Sequence, residues 1–146
     1  MDTQAYESGK RELKDLLGVD AAALADLRGR AQFFLDKGSR ERALIMLEML
    51  EALDRTDPAS AILAAEQLIA LGRSGAAQEK IERVLARAPD HADALVALAQ
   101  AKIAAGELAP AAELIKRVLA RDPDGRTPAG RRALAVTAQA KAKFGA

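Results

Sequence analysis

His91 is the only histidine of the chain, and there is no cysteine. Zinc-type sites draw on several His and Cys ligands at fixed spacings, so a lone histidine predicts no metal centre. Serine nucleophiles find no histidine base elsewhere in the sequence. The ten glycines are scattered or stand at turns, and none builds a phosphate-cradling loop. Acidic residues are abundant, but they fall mainly on the polar faces of amphipathic segments, where water is their natural partner. These residues predict no catalytic group, no metal and no cofactor, and so a protein that is not an enzyme. His91 itself is expected to be a solvated turn residue.

If the chain does no chemistry of its own, its organisation must carry the function. Half of the 146 residues are apolar, mostly alanine and leucine, and only Tyr6, Phe33, Phe34 and Phe144 are aromatic. Ala and Leu favour helices, whereas aromatic and β-branched residues favour strands. The expectation is an all-α protein of thin, closely packed helices. The net charge is +1, which offers no polyanion-binding signature. The opening residues, MDTQAYESGKRELKDLL, carry charge throughout and lack the apolar segment of a signal peptide. No apolar run reaches the roughly 20 residues needed to span a bilayer. The expected setting is the cytoplasm, with no integral membrane segment.

The chain repeats itself. RVLARAPD at Arg83 to Asp90 returns as RVLARDPD at Arg117 to Asp124, 34 residues later. Gly38, Gly72 and Gly106 keep the same spacing, each followed five residues on by Ala43, Ala77 or Ala111. Leu47, Ile81 and Ile115 come four residues after these alanines, and Pro89 and Pro123 close two of the copies. Internal repetition decides a fold before local structure does. It predicts three units, 24–57, 58–91 and 92–125, each of two helices around its turn glycine. In the second unit the helices are expected over 58–71 and 75–87, with Asp57 capping a helix that begins at Pro58. Glycine at each turn suits a helix end that needs left-handed backbone. A helix over about 3–17, with Tyr6, Leu13, Leu16 and Leu17 apolar, is expected to end at Gly18. Residues 1–23 thus form an N-terminal helix and connection, with Asp20 capping the unusually long helix that follows. Residues 126–146 form a capping helix that begins at Thr127 and Pro128, with Ala133, Leu134 and Val136 on its apolar side.

These units resemble the tetratricopeptide repeat family. The matching residues are Gly72, Ala77, Ile81, Val84 and Pro89, then Gly106, Ala111, Ile115, Val118 and Pro123. The first unit matches at Gly38, Ala43, Leu47 and Leu50 and lacks the proline. The family's first-helix aromatic survives only as Phe34, with Leu68 and Lys102 in the other units. The resemblance implies a right-handed α-solenoid whose first helices line a concave groove for a partner protein or peptide. It assigns to that groove Arg28 and Gln32; Ile62, Leu63, Glu66 and Ile69; and Val96, Gln100 and Ile103. Such a groove is mostly aliphatic and suits a peptide with apolar anchors. Some of these apolar residues could instead be packed between helices. The cationic clamp by which some members grip acidic chaperone tails is incomplete, because Leu63, Glu66, Asp93 and Ala97 stand at its positions. The arrangement of helices is also similar to the repeat-type chaperones of bacterial type III secretion, which hold translocator subunits. The alternative is a scaffold or adaptor within a larger complex.

Where the units differ, a second surface emerges. Glu79, Lys80 and Arg83 correspond to Glu113, Leu114 and Arg117, but in the first unit to Ile45, Met46 and Met49. Exposed apolar patches are usually covered by something. The cover is either the chain's own N-terminal helix or a second subunit or partner, and the latter would give a homodimer through the N-terminal region. Residues 126–146 hold five basic residues and no acid, against 17 basic and 21 acidic before them. Cations near a helix C-terminus are favourable, and a docking site for an acidic partner is the other reading. The polar base-reading code of RNA-binding repeats is absent, and no nucleic-acid partner is expected.

Overall fold

The structure, a computed structural model, describes residues 17–145. Among these residues all regular structure is α-helical: α1 Ala21–Asp36, α2 Arg40–Leu53, α3 Pro58–Ala70, α4 Ser74–Arg87, α5 Ala92–Ala104, α6 Leu108–Arg121 and α7 Pro128–Phe144. In the repeat 58–91, the helices fall within one residue of the expected boundaries. The expected N-terminal helix lies outside the described residues except for Leu17. The chain divides into two compact units within α3, between Gln67 and Leu68.

In the first unit, the Asp20 side chain accepts from the Ala23 amide at 2.8 Å and starts α1 as expected. With 16 residues, α1 is three longer than α3 or α5, because its cap stands one turn earlier. It ends at Gly38, whose φ of +72° is the left-handed turn the spacing required. The Ser39 amide then donates to the Phe34 carbonyl at 2.9 Å, which closes the helix end. The chain reverses and α2 packs along α1. Ala43 has no exposed surface, so the small residue lets the helices approach, and Leu24, Leu44, Leu47 and Leu50 fill the space around it. Asp57 caps α3, accepting from the Ala59 amide and the Ser60 hydroxyl, both at 3.0 Å. Arg40 donates to the buried Gln67 Oε1 at 3.1 Å, tying the start of α2 to α3.

In the second unit α5 is the central helix, packed against α4, α6 and α7. Every residue from Ala94 to Ala99 is buried, as a helix apolar all round must be. Its neighbours supply Ala111, Ile115 and Val118 from α6 and Ala129, Ala133 and Val136 from α7. His91 is not simply a solvated turn residue. It is half-buried and is the N-cap of α5, with Nδ1 accepting from the Ala94 amide at 3.2 Å. The ring nitrogen does there what the Asp57 carboxylate does for α3. Thr127 caps α7 ahead of Pro128, accepting from the Gly130 amide at 3.1 Å.

Asp122 fixes the entry into α7. Its carboxylate accepts from the Arg126 and Thr127 amides, each at 2.8 Å, and from the Thr127 hydroxyl at 2.6 Å. The hydrogen bond from that hydroxyl, then those from the two amides, hold its pKa below the usual carboxylate value. Gly130 is the other half of this contact. A Cβ there would lie on the Asp122 carboxylate oxygen.

Candidate protein-binding surfaces

The expected partner-binding residues sit on the first helix of each hairpin. In the first unit, Arg28 is exposed, with Nη2 3.8 Å from the Asp57 carboxylate. Gln32 is exposed and donates from Nε2 to Asp36 at 2.7 Å. Leu63 and Glu66 are half-buried, whereas Ile62 is buried. In the second unit, Ile69, Gln100 and Ile103 are half-buried. Val96 has no exposed surface, and the expected groove contact there is corrected to a core contact. The reason is the surroundings of α5: with three helices against it, little of its circumference is left for a ligand.

Gln32, Glu66 and Gln100 occupy the same place in their respective repeats. They differ in what their polar atoms do. Gln32 is tied to Asp36. Gln100 has its Oε1 buried with no hydrogen-bond partner. Ile103 follows it by one turn on the same helix, so the second unit offers an amide and an aliphatic side chain together. The nearby cation, Lys102, is engaged with Glu107 at 3.3 Å.

A second candidate surface lies on α1 and α2. Ile45 is 57% exposed and Met49 44% exposed, as their charged counterparts in the other repeats are exposed; Met46 is half-buried. The structure adds residues that comparison of the second helices could not reveal. Phe33 is 55% exposed. Its ring meets Phe34 edge to face, with centroids 5.6 Å apart. Lys37 stands over Phe33 at 5.7 Å and Arg42 over Phe34 at 5.9 Å. These rings, with Ala25, Gly29 and Met46, line an open cavity of about 500 Å³.

The basic tail holds engaged arginines and exposed lysines. Arg126 pairs with Asp124, Arg131 donates to the Arg126 carbonyl, and Arg132 pairs with Asp93. Lys141 and Lys143 are exposed at the end of α7, with Lys143 over the Phe144 ring. Among the described residues there is no cluster of three or more His, Cys, Asp or Glu that could hold a metal ion. No helix among them is long and apolar enough to cross a membrane.

The paired helices, the left-handed glycines and the buried alanines agree with a comparison of known families, in which a tetratricopeptide repeat model matches residues 68–136. Residues 68–136 belong to the tetratricopeptide repeat family. The fold of the chain is the all-α solenoid of that family. No curated protein sequence matches this chain. Similar solved structures include the Yersinia enterocolitica type III secretion translocator chaperone SycD, with a TM-score of 0.76 at 18% identity over 88% of this chain and 98% of that one. Another is the first repeat domain of Spaghetti (RPAP3) bound to the HSP90 peptide SRMEEVD, with a TM-score of 0.68 at 19% identity over 85% of this chain and 97% of that one. MamA is a third, with a TM-score of 0.64 at 21% identity over 93% of this chain and 82% of that one.

Proposed function

We propose that this chain is a protein-interaction module, without catalytic activity, that holds a partner peptide on the first-helix faces of its repeats. The observation that carries the reading is Gln100. Its Oε1 has no partner, although a buried acceptor left unpaired costs on the order of 1–3 kcal/mol. An outward turn of the half-buried Gln100 side chain lets a main-chain N–H of a bound peptide satisfy it, and Ile103 receives the neighbouring apolar side chain. Ile69 adds aliphatic surface in the second unit. In the first unit Leu63 supplies apolar surface and Glu66 an acidic group. Arg28 and Gln32, already paired, form a polar margin.

The ligand class follows from these groups. An acidic peptide such as the one bound by RPAP3 needs a row of cations. Leu63 and Glu66 offer none, and Ala97 has no exposed surface. A peptide with aliphatic anchors is the better match. That favours a chaperone holding an apolar segment of a secreted subunit, as the resemblance to SycD suggests, over a scaffold joining two proteins. A cytoplasmic setting is part of this reading.

The test is retention of a co-purified partner by the full chain. Gln100→Ala and Leu63→Glu are each expected to lower retention roughly tenfold, the size of one lost buried contact, with helical circular dichroism unchanged. Retention equal to that of the parent chain in both variants would overturn the assignment.

A further inference from the structure

In the second unit α7 packs beside α5 and gives the candidate peptide site a second wall. The two helices run in the same direction, because α6 reverses the chain between them. Arg132 on α7 pairs with Asp93 on α5 at 3.5 Å, and this contact sets their register. Seven residues make two helical turns, about 10.5 Å, and return to nearly the same face. Seven residues beyond Asp93 stands Gln100, and seven beyond Arg132 stands Gln139. The two amides are therefore level with each other on neighbouring helices. Val96 and Val136, on the same faces, are buried between them and the ion pair. About one turn further on come Ile103, half-buried on α5, and Lys143, exposed on α7.

We propose that Gln139 and Lys143 complete the site that Gln100 and Ile103 begin, and that its ligand is an extended segment carrying an aliphatic residue with a carboxylate two residues away. The proposal rests on the reading of Gln100 as a peptide contact and adds the chemistry of the partner. A carboxamide offers both donors and an acceptor, so Gln139 is matched to the N–H and C=O of a peptide main chain. Two amides on neighbouring helices hold the segment at two points whatever its side chains. The flanking pair selects the sequence. Residues i and i+2 of an extended segment point the same way, about 6.7 Å apart. Packed helices lie about 8–10 Å apart. An aliphatic side chain seated on Ile103 thus brings its second neighbour toward α7, within reach of the lysine. Charge decides what that neighbour is: residues 126–146 hold five basic residues and no acid. Arg132 is engaged with Asp93, which leaves Lys143 as the cation at this end of the groove. One cation suits one carboxylate and not an acidic tail. At the other end the Asp93–Arg132 pair bridges the two helices and closes the groove.

The full chain is titrated by fluorescence anisotropy with short labelled peptides that tile the partner it co-purifies with. The peptide that binds is expected to carry an aliphatic residue with Asp or Glu two positions away. Gln139→Ala should weaken it roughly fivefold, the scale of one hydrogen bond. Lys143→Glu should weaken it roughly fivefold, the scale of an exposed ion pair, and exchanging the peptide's acid for lysine should restore binding to that variant alone. Lys141→Glu makes the same change of charge on the opposite side of α7 and should have no effect. All three positions are exposed, so helical circular dichroism is kept. The proposal is overturned if no tiled peptide binds, if Lys141→Glu matches the loss in Lys143→Glu, or if Gln139→Ala and Lys143→Glu bind as the parent does. In that last case Gln100→Ala separates the two readings. A loss in Gln100→Ala leaves a peptide site on α5 that does not use α7, and no loss removes that site as well.

Discussion

The α1–α2 hairpin and the α5–α7 cluster solve the same packing problem with different outcomes. In the cluster, α7 lays Ala129, Ala133 and Val136 on α5 and α6, and Ile115 and Val118 disappear from water. In the hairpin, α2 buries Ala43, Leu44 and Leu47 against α1, but Phe33, Ile45 and Met49 remain exposed. Both regions use hairpins of similar length, so propensity does not distinguish them. Among the described residues, what differs is the supply of a further helix. A helical hairpin cannot bury both of its faces by itself, and a repeat without a neighbour keeps one face open.

This contrast can be broken by substitution. Ile115→Ala removes a buried side chain and should cost about 2–5 kcal/mol. Ile45→Ala removes an exposed one and should change stability by no more than about 0.5 kcal/mol. Urea unfolding of the two variants reads the difference, and equal costs would erase the distinction between the regions. Gly130→Ala tests how the closing helix is seated. Its new Cβ displaces the Asp122 carboxylate, and overpacking of this kind costs about 1–3 kcal/mol.

The smallest effect is a pH dependence. Asp122 titrates below its ordinary value of 3.8 in the folded chain. Its contribution is therefore complete above that ordinary value and is lost as the pH falls through the lowered one. Thermal unfolding of the parent and of Asp122→Asn should differ at neutral pH and converge in acid. A gap that persists in strong acid would mean that the carboxylate charge is not what seats α7.

Much of this architecture was legible in the sequence because it rests on local chemistry. Gly38, Gly72 and Gly106 mark turns since only glycine enters left-handed backbone without steric cost. Asp20, Asp57 and Thr127 mark helix starts since their side chains reach amides two or three residues ahead. His91 escaped this reading because imidazole is an uncommon cap, although it stands where Asp57 stands in the preceding repeat. The candidate surfaces were legible only in part. Val96 has the same register as Arg28, and register says which way a side chain points from its own helix. It does not say how many other helices surround it. Phe33 shows the converse: an aromatic in a helix is ordinarily read as core, yet it is exposed on α1.

The sequence by itself determined where helices begin, turn and end, because caps, glycines and spacing act over a few residues. It also determined the hairpin repeat, through small residues returning at a fixed interval. Only the tertiary structure decided which faces are covered. Burial of Val96 needs α5 to have neighbours on several sides, and exposure of Phe33 reflects the helices that stand beside α1. Both depend on residues distant in the chain, and the period of a single helix carries no information about them.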